Sequence, residues 1–113
     1  MSAPRTPRRV ASVIHLRPEQ ERKYRELHRA VPQQVLDTLS RAHITRYSIF
    51  LRENTLFAYY EYTGEDYEAD MADIAADPAT QEWWTLTDPC QRPLDSAAPG
   101  ERWVEAEEVF HLG

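Results

Sequence analysis

The sequence predicts an α+β domain whose elements run strand, helix, strand, strand, helix, strand, and three observations carry that expectation. Runs rich in β-branched and aromatic residues stand at 10–16, 44–51 and 55–62, and a fourth alternating run stands at 102–112. Between the first and second runs, Tyr24, Leu27, His28, Val31, Val35 and Leu39 recur every three or four positions, the period of one helix face. A second such stripe, Tyr67, Met71, Ile74 and Ala75, separates the third run from the fourth. This order is the split βαβ pattern of the ferredoxin-like fold, a sheet covered by helices on one side.

Each element has a local reason. Val10 to Leu16 reads as the first strand, and residues 1–8, basic and without an apolar segment behind them, read as a disordered arm ahead of a single domain over 9–113. Pro18 suits the first turn of a helix, with Glu19 and Glu21 complementing its positive end. Pro32 cannot donate to the carbonyl of His28, so the helix bends or ends there, or Pro32 opens a second helical segment. Glu53-Asn54 suits the turn of a hairpin. The second helix runs to about Asp77-Pro78, and Pro78 to Thr87 reads as a further short helix bearing Trp83 and Trp84. Asp88 to Gly100, with three prolines and a glycine, reads as a loop of a length that is often functional. The uncovered sheet face carries half of the strand aromatics and should not stay wet, which predicts face-to-face pairing with a second copy, a dimeric α/β barrel.

Composition excludes several classes. At 113 residues the chain is one ordinary domain, and its formal charge of −6 argues against a nucleic-acid surface, which needs clustered Lys and Arg in excess. No apolar run approaches the roughly 18 residues of a membrane helix. The single cysteine, Cys90, has no disulfide partner and no zinc-type spacing, which suits a reducing cytoplasm. His15, His43 and His111 show no ligand spacing, so no metal site is expected. Only three glycines are present, and no phosphate-binding loop is among them.

The chemical signal sits on the first helix. Tyr24 and His28, four residues apart, place a phenol and an imidazole side by side on a stripe that otherwise faces the core. An imidazole titrates near neutrality and a phenol both donates and accepts, so the pair can move protons; a buried histidine satisfied by its tyrosine neighbour is the alternative. Tyr47 shares a strand face with Ile49 and Leu51, and the residues leave open whether that face meets the helix or the opposite side. Trp83 and Trp84 diverge by about 100° on a helix, so one can seal the core while the other lines a cavity; a hydrophobic plug beneath the loop is the other reading.

Extended segments then match in order. YRELH, RYSIFLRENTLFAYYEY, EADMADIAADPATQEWWTLTDPCQRPL and EEVFHL carry a resemblance to the L-rhamnose mutarotase family from about Arg9 to the end. The resemblance implies a dimeric ferredoxin-like fold and cofactor-free interconversion of the α and β anomers of L-rhamnose or a related 6-deoxy sugar. It implies that His28 is the proton donor and that Tyr24, Tyr47, Trp83 and Trp84 contact a small monosaccharide. The chain departs from the family at VPQQV, 31–35, where relatives carry a Trp at the position of Pro32 and an acidic residue at that of Gln34, which bears on the identity of the sugar. The same fold also hosts small cofactor-free oxygenases and isomerases, and a non-catalytic sugar-binding module would use similar residues.

Overall fold

The computed structural model describes residues 6–113. Its elements are β1 (Arg8–Leu16), α1 (Glu21–His28), α2 (Gln33–Arg41), β2 (Ile44–Arg52), β3 (Thr55–Tyr62), α3 (Tyr67–Ala76), α4 (Pro78–Thr87), β4 (Gln91–Arg92) and β5 (Val104–Ala106). The sheet is antiparallel in the order β2-β3-β1-β4, with β5 also on β1. This is the predicted ferredoxin-like arrangement. The strand begins at Arg8, which pairs with Tyr62 and lays its guanidinium 3.9 Å over the Tyr67 ring, so Arg8 belongs to the sheet and not to the expected arm. The rest of that arm falls mainly on residues 1–5, outside the described residues.

Pro32 divides the first helical stripe in two. It has no N–H for the His28 carbonyl, so α1 closes with Arg29 and Ala30 donating to Glu26 and Leu27. The Pro32 carbonyl then accepts from Val35 and Leu36 and opens α2. Both readings of Pro32 therefore hold: one helix ends and the next begins. The Asp66 carboxylate caps α3 through the Ala69 N–H at 3.1 Å, and Asp77 caps α4 through the Thr80 N–H at 2.9 Å, with Pro78 behind it. Glu53 and Asn54 both have positive φ, 50° and 61°, as a tight hairpin of the primed type requires.

The helices cover one sheet face. Ile14, Leu16, Tyr24, Leu56 and Cys90 form one buried cluster, and Ala42, Ile44, Tyr62 and Ile74 form another. Cys90 is fully buried, and burial pushes its thiol up, away from nucleophilic character. On the other face Phe50 pairs with Phe57, Phe57 with Val13 and Val13 with Val104, a single apolar row across the sheet. Phe50 and Phe57 remain 61% and 42% exposed.

The last strand differs from expectation. Gln91 and Arg92 face Leu16 and His15, while Val104, Glu105 and Ala106 face Val13, Ser12 and Ala11. Residues 93–103 thus leave the ladder opposite one position, Ile14, and split one edge strand into β4 and β5. The strand predicted over 102–112 shrinks to Val104–Ala106, because beyond it nothing among the described residues covers the apolar alternation. Glu108 instead grips Arg9 at 2.7 and 3.2 Å, and Val109, Phe110 and Leu112 stand almost wholly exposed.

Candidate active site

The end of α1, the indole side of α4 and the middle of β2 converge on one cleft. At its centre the His28 Nδ1 lies 2.8 Å from the Tyr24 carbonyl oxygen. A carbonyl only accepts, so Nδ1 carries the hydrogen and Nε2 is the nitrogen left to exchange a proton with a ligand. The bond is the ordinary reach of residue i back to i−4 on a helix. It satisfies one ring nitrogen and leaves the other for chemistry. The Tyr24 ring lies 4.3 Å from the imidazole at 37°, and the Trp83 ring meets it edge-on at 5.2 Å and 72°.

Tyr47 reaches this cleft because of a bulge. Ile44 faces the helices, and strict alternation from it would turn Tyr47 outward. Between Thr45 and Ser48 β2 gains one residue against β3, with Arg46 at φ 51°, and Tyr47 turns back to the helix side with Ile49 and Leu51. This resolves which way that strand face looks.

The cleft has two lobes that share Tyr24, His28, Tyr47, Ile49 and Trp83. The larger, about 600 Å³, is bounded by Val31, Val35, Leu36 and Leu39 and is predominantly apolar. The smaller, about 340 Å³, is bounded by Trp84, Asp88, Gln91, Arg102 and Trp103 and is more polar in its side chains. Both volumes lie in the range of small-molecule sites. Trp83, 9% exposed, is at once core and cleft wall, while Trp84, 38% exposed, lines the polar lobe alone.

The phenols are neutral donors at physiological pH. Burial pushes Tyr24 up to about 12, opposed by its hydrogen bond from Gln91. Desolvation likewise raises Tyr47, although 43% of the residue remains exposed. The Gln91 Nε2 donates to the Tyr24 hydroxyl oxygen at 3.1 Å, and the Arg102 Nη2 donates to the Asp88 carbonyl at 3.0 Å.

All five residues singled out in the sequence, Tyr24, His28, Tyr47, Trp83 and Trp84, border the polar lobe together. His15, His43 and His111 stay apart from it, and no cluster of metal-ligating side chains occurs among the described residues. Of the divergent 31–35 segment only Val31 and Val35 border the cleft, whereas Gln34 lines a separate hollow with Asp37, Arg41 and Asp77. Sequence reasoning missed Gln91, Arg102 and Trp103. The one signal pointing toward them was the unusual length of the predicted loop from Asp88 to Gly100, which contains Gln91 and leads up to Arg102 and Trp103.

A family model described as L-rhamnose mutarotase matches residues 9–112. The chain belongs to the L-rhamnose mutarotase family. It is 34% identical over 106 residues to an L-rhamnose mutarotase of Listeria monocytogenes, a match covering 92% of this chain and 97% of the relative. An L-fucose mutarotase of Xanthomonas campestris is 36% identical over 94 residues, 80% of this chain and 74% of the relative. The crystal structure of an L-rhamnose mutarotase from Formosa agariphila superposes with a TM-score of 0.75 at 25% identity, covering 94% of this chain and 99% of that one. As a mutarotase the protein is an isomerase acting at an anomeric carbon, and the cleft around His28 is its candidate active site.

Proposed function

We propose that the enzyme interconverts the α and β anomers of L-rhamnose, or of a closely related 6-deoxy-L-hexose, by general acid–base catalysis at His28. The observation that carries the reading is the tautomer: an imidazole with Nδ1 tied to a backbone carbonyl and Nε2 free, flanked by two neutral phenols and two indoles. Mutarotation removes a proton from the anomeric hydroxyl and delivers one to the ring oxygen; the C1–O5 bond breaks, C1 rotates, and the ring recloses on the other aldehyde face. Every proton removed is returned and the oxidation level is unchanged, so acid–base groups suffice and no cofactor is invoked. His28 Nε2 exchanges the proton, while Tyr24 and Tyr47 hold hydroxyls at the reacting oxygens. The indoles face the C–H-rich side of the pyranose. The apolar lobe suits the 6-methyl group and the polar lobe the ring hydroxyls.

A cytoplasmic homodimer belongs to the same proposal. The row Phe50, Phe57, Val13 and Val104 supplies an apolar centre, and Arg46, Glu61, Arg9 and Glu108 set both charges beside it, so a two-fold copy can match like surface to like. The free, buried Cys90 is compatible with a reducing compartment.

The test is NMR exchange between the anomeric resonances of L-rhamnose and L-fucose with wild type and His28→Ala. Wild type should accelerate exchange, and His28→Ala should lose about 10²–10⁴-fold of the catalysed rate, the worth of a positioned acid–base group. Wild type without acceleration on either sugar defeats the reading; full activity in His28→Ala defeats the role of His28.

A further inference from the structure

Gln91 is buried beside Tyr24, and the donor inventory around it permits one arrangement of protons. Its two amide ends face different partners: Oε1 lies 3.4 Å from Arg102 Nη2, and Nε2 lies 3.1 Å from the Tyr24 hydroxyl oxygen. A guanidinium only donates, so the amide oxygen must face Arg102, and the NH₂ end is thereby committed to Tyr24. Facing a donor, the Tyr24 oxygen accepts. Its own hydrogen, which otherwise has two in-plane positions, is turned away from Gln91. Arg102 is itself held in place, with Nη2 on the Asp88 carbonyl at 3.0 Å and Nε 3.5 Å from the Asp88 carboxylate.

We infer that Gln91 is a positioning residue that aims the Tyr24 hydroxyl proton at the sugar, and that Arg102 sets the sense of the Gln91 amide. This rests on the mutarotase reading of the cleft and deepens it. The interruption of the edge strand thereby acquires a role, since Gln91 stands just before the 93–103 excursion and Arg102 near its end, and the excursion brings both to the polar lobe. A Tyr24 whose proton pointed at Gln91 would offer the substrate only a lone pair, and proton delivery to a ring or hydroxyl oxygen would lose its donor.

Two substitutions separate this role from packing. Gln91→Glu keeps the shape and keeps a bond to Arg102, but its carboxylate accepts from Tyr24 and draws the phenol proton away from the cleft. Gln91→Met removes both bonds and leaves the Tyr24 hydroxyl unaimed, able to turn toward the substrate or away from it. Positioning predicts that Gln91→Glu loses about ten-fold or more in kcat and that Gln91→Met, with the proton unaimed but still available, shows a smaller, few-fold loss; a packing role predicts the reverse order, because Gln91→Glu preserves the contacts. Anomeric exchange of L-rhamnose and L-fucose gives kcat, and urea midpoints at pH 7 show that each variant is folded. The decisive measurement is the same substitution in a Tyr24→Phe background, where Gln91→Glu should cause no further loss. A persisting loss there would mean that the carboxylate acts on His28 by its charge, and would overturn the proposal, as would Gln91→Met slower than Gln91→Glu. Should Gln91→Glu not fold, Arg102→Met provides the second test: freeing the amide to flip should lower kcat a few-fold with Gln91 present and not with Met in its place, and equal losses in both backgrounds overturn the proposal. Wild type inactive on every sugar would sink the parent reading instead, so the two failures are distinguishable.

Discussion

Replacing Tyr24 by phenylalanine removes one oxygen from the cleft and tests the site through stability as well as rate. Tyr24 is 5% exposed, and its oxygen is the acceptor for Gln91, itself buried. Without it a buried N–H loses its partner, which costs about 1–3 kcal/mol. The pH dependence carries the sharper signature. The folded-state pKa of Tyr24 is raised from 10 to about 12, so its stabilising contribution is complete below pH 10 and is lost as the pH rises toward 12, where the unfolded chain ionises first. Linkage puts that loss at roughly 1 kcal/mol by pH 11. Tyr24→Phe lacks this component, and the other tyrosines titrate alike in both proteins. The deficit of the variant, measured by urea unfolding followed by circular dichroism, should therefore shrink by roughly 1 kcal/mol between pH 9 and pH 11. A deficit independent of pH over that window would refute the assignment of a buried, hydrogen-bonded phenol. In the same variant anomeric exchange should fall by about ten-fold or more as a positioned donor is lost.

The two indoles should separate by effect. Trp83→Ala empties a core position against His28 and should cost about 3–5 kcal/mol, read as a lowered urea midpoint. Trp84→Ala, at a half-exposed position on the polar lobe, should leave the midpoint almost unchanged while weakening sugar binding several-fold in NMR titration. Phe50→Glu places a charge in the centre of the exposed apolar row and should shift sedimentation from dimer to monomer; a wild type that sediments as a monomer at micromolar concentration would remove the basis of the dimer proposal. At Gly64 an added Cβ would fall on the Tyr62 phenol, which donates to Asp70 and ties β3 to α3. Gly64→Ala should therefore lower stability by about 1–3 kcal/mol, measured by the same unfolding assay.

Much of the fold is legible in the sequence because its signals are local. Hydrophobic period distinguishes the helical stripes from the strands, Glu53-Asn54 marks the hairpin, and Pro32 places a helix boundary one turn beyond His28. The pairing of Tyr24 with His28 follows from helix geometry alone, since residues four apart share a face. The strand over 102–112 is overpredicted because alternation reports a capacity for a buried face, and among the described residues only Val104–Ala106 of that run pair with a strand.

From the residues alone come the order of elements, the juxtaposition of phenol and imidazole on α1, and, through extended resemblance, the family. Three matters were settled only in the folded chain. The bulge at Arg46 turned Tyr47 to the helix side, a one-residue change of register that no alternation pattern encodes. Packing across the chain made Trp83 core and cleft wall at once, while Trp84 lines the cleft without entering the core. The 93–103 excursion brought Arg102 back to Gln91, 11 residues away in sequence, and the amide of Gln91 reaches Tyr24 across 67 residues. Contacts of that separation depend on where the sheet carries each strand, and a local pattern holds no record of it.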